Sequence, residues 1–297
     1  MLIKNQNITI QPLALLSHAD IQTDILRLDQ LDPVISGNKW FKLQYPLLEA
    51  REQAATTLVS MGGAYSNHIA ALAKAAADAG FKSLGLIRGD ANTPLSHTLQ
   101  AANNRGMELQ FISREAYRDK ATLRASYASD NHYWIEEGGY GILGANGAAE
   151  ILADRDISPY THIICALGTG TTLAGLIQSA LPYQQVLGIS VLKNQTDARE
   201  KVAALLPAEK RDARWDVLHG FHCGGYAKHQ PALLDHMRRL WASDGLPTDF
   251  VYTGKMTWAV EQLLHQSFFP AGSRLLLIHS GGLQGNHSLP PGTLPFS

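Results

Sequence analysis

Apolar residues along the chain follow two spacings in turn, and their succession predicts the architecture. The run TTLVSM (56–61) is short, apolar and rich in β-branched residues, which predicts a buried strand. Behind it, IAALAKAAADA (69–79) is made of good helix formers; Ser66 or Asn67 is placed to cap it, and Gly80 stands where a left-handed residue ends a helix. KSLGLIRG (82–89), TPLSHTLQAANNRG (93–106) and MELQFIS (107–113) repeat strand, helix and strand, with Gly106 closing the helix. Residues 114–128 read as a further helix, and the glycine-rich EEGGYGILGANG (136–147) precedes a helix over AAEILADR (148–155). A second block starts at Tyr160. It has strand THIICAL (161–167), helix LAGLIQSAL (173–181), strand QQVLGISVL (184–192), helix TDAREKVAALL (196–206) and an irregular stretch over 215–229. It closes with helices PALLDHMRRLWASDG (231–245) and MTWAVEQLLHQSF (256–268), the latter opened by VYTGK, and the buried strand SRLLLIHSGG (273–282). IQTDILRLD (21–29) alternates as a strand. This βαβ grammar predicts two mostly parallel α/β sheets in one unit, with no internal repeat and no low-complexity tract.

Composition narrows the function. The chain has 297 residues, 45% hydrophobic and 17% charged, enough for a large core. A formal charge of -1 and the lack of any basic cluster interleaved with aromatics give no field for nucleic acid, which is not an expected partner. The start, MLIKNQNITIQPLALL, breaks the apolar block that a signal peptide needs, and no run reaches membrane-spanning length; a soluble, cytoplasmic protein with no membrane partner is expected. Cys165 and Cys223 read as reduced core thiols. The histidines are isolated, so no metal site is expected, although His68 sits at a helix start beside Asn67.

Three stretches carry candidate chemistry. SGNKWFKL (36–43) sets Lys39 and Lys42 three residues apart at a helix mouth, with Trp40 and Phe41 turned to apolar neighbours and Pro46 expected to kink or end the helix early. The pair reads either as solvated surface charge or as an anion site. Gly168, Thr169, Gly170, Thr171 and Thr172 lie between a strand and a helix, where exposed backbone N–H groups, the helix dipole and hydroxyls make a phosphate cup; the plainer alternative is a tight turn with a threonine cap. GGAYSNH (62–68) offers a second anion-friendly helix start, or an ordinary cap. The cup lacks the lysine of a Walker loop and the third glycine of a dinucleotide fingerprint. Together the three point to one shared site at the strand ends.

In this order and at these separations, SGNKWFKL, GGAYSNHIAALA, LGTGTTLAGL, VYTGK and HSGG resemble the fold type II pyridoxal phosphate enzymes, specifically the 1-aminocyclopropane-1-carboxylate deaminase and D-cysteine desulfhydrase family, over nearly the whole chain. The resemblance implies two-domain open twisted α/β sheets of the tryptophan synthase β-subunit type with pyridoxal 5'-phosphate in the cleft between domains. Residues 1–50 and 160–297 would form the larger, cofactor-binding domain, and 51–159 the smaller one. It matches Lys39 to the Schiff-base lysine, Lys42 to the phosphate, Gly168, Thr169, Gly170 and Thr172 to the phosphate cup, and Asn67 to the cofactor's phenolic oxygen. Ser66 matches the serine beside the substrate carboxylate, Tyr226 and Tyr252 flank the substrate, and Ser280 or Thr253 partners the pyridine nitrogen. A hydroxyl there would leave that nitrogen largely unprotonated and favour elimination over transamination. The implied activity is α,β-elimination from a small amino acid, giving a 2-oxo acid, ammonia and, from cysteine, sulfide; a homodimer is implied too.

The sequence departs from the family at named places. Tyr65 replaces the usual Gln before SNH, Thr253 replaces the Glu of the deaminase branch, and Ala227, Lys228 and His229 follow Tyr226 where the family has a Gly and a Pro-Thr pair. The desulfhydrase branch is therefore preferred over the ring-opening deaminase. Two other readings stand beside it: a protein that carries pyridoxal phosphate without turnover, and a phosphometabolite binder that uses the cup alone.

Overall fold

Two sheets organise the computed structural model, which describes residues 8–18 and 20–296. The chain passes through β1 (Ile10–Pro12), β2 (Gln22–Leu26) and α1 (Asn38–Glu52). It then runs through β3 (Thr57–Gly63), α2 (Asn67–Ala79), β4 (Lys82–Arg88), α3 (His97–Asn103), β5 (Met107–Ile112), α4 (Lys120–Ser126) and β6 (His132–Trp134). The four strands of this block form a parallel sheet in the order β5-β4-β3-β6. After α5 (Ile142–Ala149) come β7 (His162–Leu167), α6 (Thr171–Ser179), β8 (Gln185–Ser190), α7 (Ala198–Ala203), β9 (Trp215–Leu218), α8 (Pro231–Asp244), α9 (Thr253–His265) and β10 (Arg274–Ile278). The larger sheet has the order β1-β2-β10-β7-β8-β9, parallel except for the antiparallel β1 and β2 pair.

Alternation along the strands explains why each sheet is covered on both faces. In the larger sheet Ile163, Cys165, Leu167, Leu276 and Ile278 pack under α5 and α6, while Ile164, Ala166, Leu187, Leu275 and Leu277 pack against Met256, Val260 and Leu263 of α9. In the smaller sheet Leu58 and Ile87 face α2 and α3, and Val59, Met61 and Leu86 face Tyr117 and Leu123. Trp40 joins the two cores, packing against both. Ala145, Ala148, Ile151, Leu152 and Ile157 lie in the core of the larger sheet, so the last part of 51–159 packs there rather than with the four-stranded sheet. Among the described residues no helix is long and apolar enough to cross a membrane.

Several local expectations change. Pro46 lies inside α1 and the helix continues to Glu52; the ring is buried, and only one turn's backbone bond is lost to it. The helix expected over 114–128 is broken at Asp119, whose carboxylate accepts the Thr122 N–H at 3.0 Å and starts α4 afresh. The helix expected over 148–155 instead begins inside the glycine passage, at Ile142, and ends at Ala149. Its glycines serve close packing: a Cβ at Gly147 would overlap the Phe41 carbonyl of α1. The irregular stretch 215–229 contains β9, and the short β1 and β6 escape the sequence pattern because pairing alone defines them.

Candidate active site

A cleft of about 1060 Å³ opens at the carboxyl ends of β3, β4, β7 and β10, where the two sheets face one another. Lys39, Lys42, Ser66, Asn67, Gly168, Thr169, Gly170, Thr172, Tyr226, Tyr252 and Ser280 all line it. Of the residues expected at the site, Thr253 alone does not.

The lysine helix is set by its first residue. Gly37 precedes α1 at φ 68°, a conformation open to glycine, and a Cβ there would overlap the Ser280 carbonyl. That close approach lets the Asn38 N–H donate to the Ser280 carbonyl at 3.2 Å, so SGNK and HSGG interlock and α1 starts at the cleft floor. Lys39 Nζ donates to Asn38 Oδ1 at 3.1 Å, and Asn38 Nδ2 donates to Thr172 Oγ1 at 2.7 Å. Asn38 thus ties the lysine to the phosphate cup. Burial lowers the Lys39 amine from 10.5 to about 8, opposed by the charge of Asp249. Lys42 is 2% exposed, and burial and then Lys39 hold its amine well below the ordinary lysine range. Its amine makes no hydrogen bond or ion pair among the described residues.

Two helix starts face these amines. The Ile69 N–H donates to Ser66 Oγ at 3.3 Å, which caps α2 and aims its first turn at the cleft. The Asn67 side chain has no hydrogen-bond partner among the described residues, and its Oδ1 is buried. Gly282, at φ 92°, gives it room, since a Cβ there would overlap Asn67 Nδ2. His68 also lines the cleft; its Nε2 meets Ser60 Oγ at 2.9 Å, and burial, then Lys39 and Lys42, keep the ring neutral. At α6, Gly170 takes a left-handed conformation and no side chain caps the helix, so the N–H groups of its first turn are left for a ligand.

Tyr252 stands immediately before α9 and Tyr226 lies on a glycine-rich loop. Their rings meet edge to face at 6.3 Å. Burial pushes Tyr252 well above its ordinary value, with Tyr226 and Asp249 adding to it, and burial raises Tyr226 too. Both stay protonated at neutral pH. Asp249, fully buried, organises the entry to α9: its carboxylate accepts N–H groups from Val251 (3.0 Å), Tyr252 (2.8 Å) and Thr253 (2.9 Å), and the Thr253 hydroxyl at 2.6 Å. Thr253 is spent in that network, which explains why it is absent from the cleft wall. Lys255 donates to the Gly225 carbonyl at 2.7 Å and so anchors the loop of Tyr226. Asp249 and Lys255 flank the expected Tyr252 and Thr253 within DFVYTGK, and that proximity is their one signal in the sequence.

The chain resembles known proteins over most of its length. Residues 6–281 match the model of the pyridoxal-phosphate dependent enzymes. A Thermotoga maritima protein named, provisionally, as a 1-aminocyclopropane-1-carboxylate deaminase is 28% identical over 281 residues, covering 88% of each chain. D-cysteine desulfhydrase of Salmonella typhimurium is 25% identical over 284 residues, covering 86% of each. The crystal structure of an ACC deaminase homologue superposes with a TM-score of 0.80 at 24% identity, covering 94% of this chain and 90% of that one, which shows the shared fold. The donor set fits the cofactor: a buried amine without a partner at Lys42, an open helix start at α6, an unpaired amide at Asn67 and a lysine of lowered basicity at Lys39.

Proposed function

The chain belongs to the pyridoxal-phosphate dependent enzymes, and from that premise we propose that it is a D-cysteine desulfhydrase-like lyase, releasing a 2-oxo acid and ammonia from a small amino acid by α,β-elimination. The observation that carries the reading is the convergence of Lys39, Ser66, Tyr226, Tyr252 and Ser280 on one cleft with the open start of α6. Lys42, the first turn of α6 and the Thr169 and Thr172 hydroxyls would hold the phosphate, Asn67 the ring's phenolic oxygen, and Lys39 the aldehyde carbon. When bound, pyridoxal phosphate supplies the electron sink that makes a substrate α-proton labile.

The chain's own groups supply position and proton transfer. Ser66 and the first turn of α2 orient the substrate carboxylate. Lys39 Nζ, with its basicity lowered to about 8, takes the α-proton in its neutral form. Tyr226 and Tyr252, both held protonated, can donate to a departing group at the β-carbon. Ser280, a hydroxyl in the cleft wall, is the group left to meet the ring nitrogen, because Thr253 is bound to Asp249. A neutral partner there favours elimination. The same reading takes the enzyme to be cytoplasmic, supported by the two free buried cysteines, and homodimeric by resemblance.

The test is release of 2-oxo acid from D-cysteine, L-cysteine, D-serine, β-chloroalanine and 1-aminocyclopropane-1-carboxylate by the yellow, cofactor-bound protein. Pyruvate from the substrates with a β-leaving group is expected. Turnover of the cyclopropane alone would move the chain to the ring-opening branch, and no turnover of any of them would leave a carrier protein.

A further inference from the structure

Five cations line the cleft: Lys39, Lys42, Arg88, Lys120 and Lys201. Lys120 is paired with Glu137 at 2.7 Å and Lys201 with Asp197 at 2.6 Å. Lys39 and Lys42 are taken by the cofactor in the reading above. Arg88 is left over: it is exposed at the end of β4, and its guanidinium makes neither a hydrogen bond nor an ion pair among the described residues. It is nevertheless held in place. Its guanidinium lies over the Tyr117 ring at 5.6 Å from the centroid, and Tyr117 is fixed by donation to Glu137 Oε1 at 2.9 Å. Both oxygens of Glu137 are therefore engaged, by Tyr117 and Lys120, and Glu136 is engaged by Arg124 at 3.1 Å. The carboxylates nearest to Arg88 along the cleft wall have other partners.

The position says what the cation is for. Arg88 is the register partner of Gly63 across β4 and β3, and Nη2 lies 3.9 Å from where a Cβ on Gly63 would stand. Ser66, which takes the substrate carboxylate in the proposed function, follows Gly63 by one turn, and the Ser66 N–H donates to the Gly63 carbonyl at 3.0 Å. Arg88 starts one strand farther out, a step of about 4.8 Å. A cleft of about 1060 Å³ stands at the upper end of small-ligand sites.

We infer that Arg88 binds a second carboxylate on the substrate, carried by the β-substituent, so that the class of substrate is an amino acid with an acidic leaving group. The inference rests on the elimination reading for the reaction but not for the binding. With S-carboxymethylcysteine as the probe, the Cα–H and Cβ–S bonds break and sulfur leaves with the bonding pair. A proton returns to Cβ and water replaces nitrogen at Cα, so the products are mercaptoacetate, pyruvate and ammonium.

Two measurements on the cofactor-bound enzyme test it. The first compares kcat/KM for both enantiomers of S-carboxymethylcysteine with the corresponding carboxamides. A preference for the acid on the order of tenfold is expected from one charge-assisted pair, falling to near parity in Arg88→Gln and partly retained in Arg88→Lys. The second compares, by calorimetry, the affinities of succinate and succinamate, which cannot react; the same preference and the same loss in Arg88→Gln are expected. Equal values for acid and amide, or a preference that survives in Arg88→Gln, would overturn the assignment. If cysteine and both probes fail to turn over, the elimination reading falls, and the calorimetric comparison still decides the role of Arg88.

Discussion

The Lys255 amine reaches the Gly225 carbonyl at 2.7 Å, joining the first turn of α9 to the loop that presents Tyr226. Lys255 does not line the cleft, is fully buried, and has its basicity lowered to about 8 by burial against the pull of Cys223 and Asp249. It is a positioning residue.

Lys255→Met removes the donor and leaves the Gly225 carbonyl without it, which costs about 1–3 kcal/mol if the carbonyl stays buried. The expected outcome is a lower Tm together with a fall in kcat on the order of tenfold and a smaller change in KM, since Tyr226 is misplaced for proton donation. The bound cofactor should absorb at the same wavelength as in the parent. Unchanged kcat would show that the loop holds Tyr226 without Lys255.

Ser280 and Thr253 are separable by two substitutions. Ser280→Ala should weaken cofactor retention and shift the visible absorption, because it removes the hydroxyl assigned to the ring nitrogen. Thr253→Val should instead lower stability by about 1–3 kcal/mol, through the lost bond to buried Asp249, with the absorption maximum unmoved. Denaturant titration and visible spectra distinguish these outcomes; a spectral shift in Thr253→Val alone would exchange the two roles.

The lowered basicity of Lys39 gives a pH dependence in the cofactor-free protein. Its amine is depressed from 10.5 to about 8 in the folded state, so between these values the unfolded chain binds more protons. Stability should therefore rise with pH across that window, the cost of the buried charge being full below about 8. The rate of cofactor uptake, followed by stopped-flow absorbance, should likewise climb with the neutral fraction and level off above about 8. Asp249→Asn, which removes the opposing charge, should move the midpoint lower. A midpoint near 10 would mean that the amine is solvated.

Sequence pattern revealed most of the architecture because burial on both faces of parallel strands leaves apolar runs that need no partner to be recognised. THIICAL and SRLLLI, the cores of β7 and β10, are such runs. Edge strands do not have that property: β6 is His132, Tyr133 and Trp134, all half-buried, and pairing with β3 is what makes it a strand. The glycine-rich passage 136–147 is expected only to precede a helix, yet Gly144 and Gly147 lie within α5, where neighbouring backbones leave no space for a Cβ. At the site, Lys39, Ser66 and Thr172 were legible from helix starts and glycines. Asn38 was not, since its role is a hydrogen bond to Thr172, far along the chain; the bonds of Asp249 are local, and what its sequence neighbourhood hides is the charge it sets near Lys39. Arg88 carried one signal, a cation at the carboxyl end of a parallel strand, which only the absence of an ion-pair partner for its guanidinium among the described residues makes specific.

Lys39, rather than Lys42 or Lys255, is the lysine assigned to hold the cofactor. Borohydride reduction of the yellow protein followed by peptide mapping tests it directly. A single pyridoxyl label is expected on the peptide containing Lys39, at Lys39, and none in Lys39→Ala. A label on Lys42 or Lys255, or a protein that stays colourless with added pyridoxal phosphate, would contradict it.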